Sequence, residues 1–332
     1  MNNIRVYLHV AQLSTNVKKT LYSTLAVIAC SAAAYLPLLL RLGYSYECHV
    51  AYTIVFTSLS ILITLVLFGG AREGFDGQAK IKVVLSSLII LVLAEELLLN
   101  SMFANYGLAL AILGLVLLPI LAILLGRGNG WLRVALEAVA LIFATRVVLA
   151  PFQLGLLGLP MFLPTIYTLI LAALALYLMY RGVKTSDLRI SLGKRGLGFQ
   201  LFSGLCVGAI IGLVEYFVLR PQPILAGAGF VQMLAYTLIV LMLMVGVVEE
   251  ILFRGLLQGS LERVMPVWQA IGITSVVFGL MHVGWMNPLE VLLAYGAGVA
   301  FGYMAVVTDS LVAPIMAHGF GNVVLYMIAF LS

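Results

Sequence analysis

The sequence predicts an all-α fold, a polytopic transmembrane helical bundle of about eleven spans with side chains of a catalytic kind gathered at its C-terminal end. Two observations carry this reading. Of the 332 residues 63% are hydrophobic and only 9% charged, whereas a soluble domain carries roughly 25% charged residues. The mean hydropathy is +1.16, and apolar runs long enough to cross a bilayer recur along the whole length.

Hydropathy places the spans at residues 21–40, 50–69, 83–102, 107–126, 132–150, 161–180, 199–219, 231–257, 267–285, 289–307 and 312–331. The first run follows a polar lead of about 20 residues and is long enough to remain as a span, so no cleaved signal peptide is expected. The short loops alternate in basic content. One set holds Arg5, Lys18 and Lys19, then Arg72, Lys80 and Lys82, then Arg127 and Arg133, then five residues from Arg181 to Arg195, then Arg263. The other set holds only Arg41 and Arg220. Basic loops stay in the cytoplasm, so the N-terminus is expected inside, in a multi-pass protein of the plasma or cell membrane.

The polar stretch "RGVKTSDLRISLGKRG" (181–196) is the longest connection between spans. It divides the chain into an N-terminal transmembrane bundle of unknown role (1–180), a basic cytoplasmic loop (181–198) and a C-terminal domain (199–332). No internal repeat is apparent, which weighs against a transporter built from duplicated halves. Gly298 and Gly302 form a GxxxG pair that suits close helix packing in lipid.

Composition removes several other classes. Cys30, Cys48 and Cys206 are scattered and odd in number, fitting neither a disulfide framework nor a metal knuckle. The net charge of +5 comes mostly from topology-setting loops, so no nucleic-acid partner is implied. The bilayer itself is the expected environment.

Against this apolar background "VVEEILFRG" (247–255) places two glutamates and an arginine inside a span. Ionisable groups there cost several kcal/mol, about 3 on the most lenient scale, and generally face a partner or a cavity. Glu250 and Arg254, four residues apart, share a helix face in the favourable order for an ion pair. Glu249 points about 100° away and is free for another task. His282, in "FGLMHVGW", and the pair His318 and Asn322, in "HGFGN", follow in later spans. Glu249 and His282 lie equally far from a break at Met265–Pro266, so an antiparallel hairpin brings them to one depth. The chemistry that assembles is water activation: a carboxylate and a histidine handle the proton, and His318 and Asn322 can donate to an oxyanion.

These residues resemble the CPBP family of intramembrane endopeptidases, also called the CAAX-protease or Abi group, whose eukaryotic members are the Ras-converting prenyl-protein proteases. The family pattern of Glu-Glu-x-x-x-Arg, Phe-x-x-x-His and His-x-x-x-Asn/Ser on separate helices is matched by Glu249-Glu250-x-x-x-Arg254, Phe278-x-x-x-His282 and His318-x-x-x-Asn322. The resemblance covers roughly residues 199–331. It implies that Glu249 and His282 activate water, that His318 and Asn322 form the oxyanion hole, and that Glu250 and Arg254 support the site. It also implies a membrane-anchored or lipid-modified protein or peptide as substrate; a site opening outward would suit the anchors of surface proteins. The family is described both as glutamic and as metal-dependent. No HExxH is present, so no cofactor is expected; if zinc is used, Glu249, His282 and His318 are its ligands.

Other readings stay beside this one. His282 alone would read as a packed histidine, and it is the company of two further motifs that makes it reactive. "AEELLLN" (94–100) repeats the paired glutamates without the arginine or a histidine motif, so Glu95 and Glu96 read as a buried or interfacial polar pair. Glu137 and Arg146 are expected to find partners within or across spans, Glu215 to support the site, and Trp285 and Tyr295 to pack or to sit at the membrane interface. A proton- or ion-coupled transporter, or a non-catalytic immunity or scaffold protein, remains the alternative. Basic-loop topology puts Glu249 and His282 about 24 Å from the inner turn, in the outer half of the bilayer.

Overall fold

The computed structural model describes residues 77–101, 103–125, 129–153 and 159–332. The expected spans 21–40 and 50–69, with Cys30 and Cys48, lie outside the described residues. Helices account for all regular structure among the described residues: α1 (Gly77–Leu99), α2 (Ala104–Leu125), α3 (Gly130–Gln153), α4 (Leu159–Arg181) and α5 (Leu197–Leu219), then α6 (Phe230–Leu261), α7 (Val267–Leu280), α8 (Pro288–Thr308) and α9 (Val312–Leu331). Among the described residues seven helices are long and apolar enough to cross a membrane, namely α2 and α4 to α9, with α7 extended through a short turn to Trp285. The other two expected spans in this region are helical as α1 and α3, but each carries several charged residues. The polytopic helical bundle is as expected; the count of eleven is not reached among the described residues.

The chain divides into two compact units, the first ending at Gly107 and the second running from Leu108 to Ser332. In the first, Glu95 and Glu96 are both 1% exposed, as expected for a buried polar pair. All the motif residues belong to the second.

In the second unit the most extensive contact joins α5 to α9. Glycine makes it possible. A Cβ at Gly208 or Gly212 would run into the backbone carbonyl oxygens of Ala317 and Gly321, so the two backbones lie against each other. In lipid, where burial of apolar surface supplies little drive, such close approach is a main source of helix cohesion. α7 and α8 form the next largest contact. Gly298 packs on Ser275 of α7, and Gly302 on Ile271 and Gln258, so the GxxxG pair does face neighbouring helices.

Glu137 of α3 accepts hydrogen bonds from Arg133 (2.9 Å) and from the hydroxyl of Tyr177 in α4 (2.9 Å), and pairs with Arg181 at 2.7 Å. This polar cluster fastens α3 to α4. The basic connection after α4 is also tied down. Thr185–Leu188 forms a 3₁₀ turn, Leu311 N–H donates to Arg189 C=O (3.0 Å) and Lys194 N–H to Thr308 C=O (2.8 Å). Arg189 pairs with Glu262, and Arg263 with Asp187 at 2.9 Å.

α6 departs from ordinary helix geometry. Thr237–Val245 and Ile251–Gln258 are π-helical, wound more loosely, and the α-helical turn Gly246–Glu250 lies between them. Extended π-winding is rare and gathers at functional sites. Here it brackets the glutamate pair.

Replacing Gly212 with valine is expected to force α5 from α9 at a cost of about 1–3 kcal/mol, read as a lowered melting temperature in detergent. Gly272→Ala, where a Cβ meets nothing within 4 Å, should leave the melting temperature unchanged.

Candidate active site

Arg254 occupies the middle of the second unit with no exposed surface. Its Nη1 donates to Oε1 of Glu250 at 2.8 Å, and neither side chain is accessible. The i, i+4 pairing expected from the sequence is therefore formed. The guanidinium also lies over aromatic rings, 4.2 Å from the centroid of Phe278 and 5.2 Å from that of Phe301. A desolvated cation over such faces gains about 2 kcal/mol. Phe278 thus has a physical role in its motif: α7 holds it between Arg254 and the two histidines, with ring centroids 5.0 Å from His282 and 5.7 Å from His318.

His318 joins this hub from α9. Its Nδ1 lies 2.8 Å from the same Oε1 of Glu250, and its ring stacks on Phe301 at 5.6 Å and 17°. A carboxylate only accepts, so Nδ1 carries the proton and Nε2 faces the other way. There it lies 3.8 Å from Oε2 of Glu249, beyond direct hydrogen-bond range and within reach of a bridging water. Nε2 accepts a proton when the ring is neutral and donates only when both nitrogens are protonated.

Glu249 is directed as its 100° offset implied, away from Arg254. Its side chain is 21% exposed, and its Oε1 accepts a short hydrogen bond from the hydroxyl of Tyr167 in α4. Tyr167 was not legible as a site residue, because a single tyrosine in an apolar span carries no motif. Through it α4, outside the C-terminal part that carries the motifs, reaches Glu249.

His282 lies just past the end of α7, half-buried, with Nδ1 2.9 Å from the Phe278 carbonyl oxygen. That oxygen can only accept, so the neutral ring keeps its proton on Nδ1 and leaves Nε2 as a base. Glu249, His318 and Arg146 are all near enough to act on it electrostatically. The α6–α7 hairpin thus brings Glu249 and His282 into one neighbourhood, while the hydrogen bonds of Glu249 run to Tyr167 rather than to His282. Arg146 of α3 donates to the Met281 carbonyl oxygen at 2.9 Å, which anchors the turn carrying His282.

A cavity of about 30 Å³ opens beside this cluster, and His282, His318 and Asn322 form part of its wall. Asn322 stands one turn beyond His318 on α9, as the spacing required. Glu215 lines the same cavity, together with Glu290 of α8, a residue that no motif singles out. Among the described residues no group of three or more His, Cys, Asp and Glu side chains is placed to hold a metal ion.

Arg254→Met would leave Glu250 buried without its guanidinium counter-charge, with only the His318 hydrogen bond remaining, and a stability loss of about 3–5 kcal/mol is expected. A melting curve in detergent reads it. The paired change Glu250→Gln with Arg254→Met should recover part of that loss; no recovery would show that the two side chains are not coupled.

No curated protein and no solved structure was found to match the chain. One family model does match: residues 231–324 fit the type II CAAX prenyl endopeptidase Rce1-like family. The matched segment contains all three motifs and every charged or histidine side chain of the hub. The three motifs on α6, α7 and α9 agree with this match, which finds a domain of the CAAX protease type at residues 231–324.

Proposed function

We propose that this protein is an intramembrane endopeptidase that hydrolyses a membrane-tethered or lipid-modified polypeptide with activated water. The observation that carries the reading is the placement of the Glu249 carboxylate 3.8 Å from His318 Nε2, where a water beside the pair can contact both groups, next to a cavity walled by His282, His318 and Asn322. Glu249 is the general base. Tyr167 fixes its Oε1, so that Oε2 faces the gap. His282, held in the tautomer with a free Nε2, takes that proton on from Glu249 and delivers it to the leaving amine. His318 in its doubly protonated form and the Asn322 amide stabilise the oxyanion of the tetrahedral intermediate. Glu250 and Arg254 keep His318 in place.

We read residues 199–332 as the catalytic domain, α3 and α4 as helices that shape the site, and the N-terminal bundle as the part that receives the substrate's membrane anchor. Tyr167 supports that division of roles, since a helix of the N-terminal part fixes the base. The plasma membrane is the proposed location, and the C-terminal anchors of surface proteins are the proposed substrates.

The test is cleavage in detergent of prenylated peptides and of transmembrane-tail peptides, read by mass spectrometry for the wild type and Glu249→Ala. Cleavage is expected in the wild type and should fall by at least about 100-fold in the variant. An equally active Glu249→Ala would sink the mechanism. Chelators are expected to leave the rate unchanged; loss on chelation with recovery on added zinc would replace the glutamic mechanism by a metal one.

Tyr167→Phe removes only the hydroxyl. It should lower kcat by about tenfold with KM nearly constant, because the general base is left less well oriented. An unchanged kcat would remove Tyr167 from the site.

A further inference from the structure

The cavity beside His282 contains two carboxyl groups that the proposed mechanism does not use. Glu215 enters from α5 and Glu290 from the first turn of α8. They are brought together by a specific tie: the Asn287 side-chain amide, just before α8, donates to the Val218 carbonyl oxygen near the end of α5 at 3.1 Å. One turn back from Val218 is Glu215, and one turn on from Asn287 is Glu290. The two carboxyls are near enough to interact electrostatically. Glu290 is 1% exposed, and its Oε2 has no hydrogen-bond partner. Neither glutamate forms an ion pair among the described residues. The polar side chains sharing the cavity are His282, His318 and Asn322, and the Tyr326 hydroxyl of α9 also interacts with both carboxyls. No arginine or lysine lines it.

Two carboxyls in a membrane interior without a cation are costly, and such groups persist where they serve a ligand or a pathway. Elsewhere in this unit the chain does supply partners: Glu250 has Arg254, Glu137 has Arg133 and Arg181, and Glu262 has Arg189. Glu215 and Glu290, like the proposed base Glu249, have no such arginine, and they share a cavity with three of the proposed catalytic side chains. A polypeptide lying across His318 and Asn322 would carry a neighbouring side chain into the space between α5 and α8. The cavity, at about 30 Å³, takes a head group the size of a water molecule. An ammonium group fits that size, and a planar guanidinium is larger.

We propose that Glu215 and Glu290 form a cation subsite that selects substrates with a lysine side chain next to the scissile bond. This inference rests on the reading of His282, His318 and Asn322 as the reaction centre. The lysine ammonium supplies the missing counter-charge and donates to both carboxylates, and its apolar stem lies against Ile211 and Leu293 of the cavity wall. The pair therefore acts as a specificity determinant and not on the reacting atoms.

The test places lysine, arginine, norleucine or glutamate at each position flanking the scissile bond of a cleaved peptide and measures kcat/KM. At one position lysine is expected to be preferred over norleucine by at least tenfold, with arginine intermediate and glutamate rejected. Glu290→Gln and Glu215→Gln, each confirmed folded by its melting curve, should both bring the lysine-to-norleucine ratio close to one. Binding of the same peptides to Glu249→Ala protein supplies a readout without catalysis, and the lysine peptide should bind more tightly there in the presence of both glutamates.

Cleavage of lysine and norleucine peptides at equal rates at every position would overturn the subsite and leave the protease reading intact. A lysine preference that survives loss of both carboxyls would overturn it as well. If wild type cuts nothing but Glu249→Ala binds the lysine peptide preferentially through Glu215 and Glu290, the cation subsite stands and the protease reading fails. Absence of both cutting and binding overturns both.

Discussion

The structure of the second unit depends on how one buried cation is accommodated. Arg254 has no access to solvent, and it cannot lose its proton in place of being solvated. Everything near it supplies what water would have supplied. Glu250 gives the counter-charge, Phe278 and Phe301 give aromatic faces, and α6, α7 and α8 must all be in register to deliver them. The same Glu250 oxygen that receives Arg254 also receives His318, so α9 is fixed by the same point of charge. A pair of this kind is a weak source of stability compared with an apolar core, but it is a strong source of uniqueness: an arrangement that separates the two charges is heavily penalised.

That constraint gives the geometry around the glutamates its purpose. The π-helical stretches of α6 widen the helix on both sides of Gly246–Glu250, and the glycines of α5 let α9 approach backbone to backbone. Close packing of α5 with α9 brings His318 and Asn322 to the level of the glutamate pair. Tight helix contact in one place and loose winding in another are two parts of one solution, in which a polar site is enclosed by helices that stay continuous across the apolar layer.

The proposed division of labour between adjacent glutamates follows from rotation about a helix. Glu250 faces inward to Arg254 and His318, while Glu249 faces α4 and the partly accessible side. Two identical carboxyls thus differ in accessibility, and in partners, one with a guanidinium and the other with a phenol. The histidines differ in a similar way: His318 is held by a carboxylate and His282 by a backbone carbonyl. Each has its Nδ1 committed to protein and its Nε2 left over, which is what a proton-handling role requires.

Much of this was legible in the residues themselves. Hydropathy determines that the chain is a helical membrane protein, because a bilayer demands continuous apolar length. The i, i+4 spacing determines the Glu250–Arg254 and His318–Asn322 relations, because helical pitch is fixed. The conjunction of three motifs carries the family resemblance, and the family match to 231–324 agrees with it. The tertiary structure decided what depends on contact between distant segments. Tyr167 reaches Glu249 across 82 residues of sequence, and Glu290 and Glu215 share one cavity where α8 packs beside α5. His318, rather than His282, lies opposite the outer oxygen of Glu249. None of these has a local signal, since helix periodicity states which residues share a face but not which neighbour that face will meet.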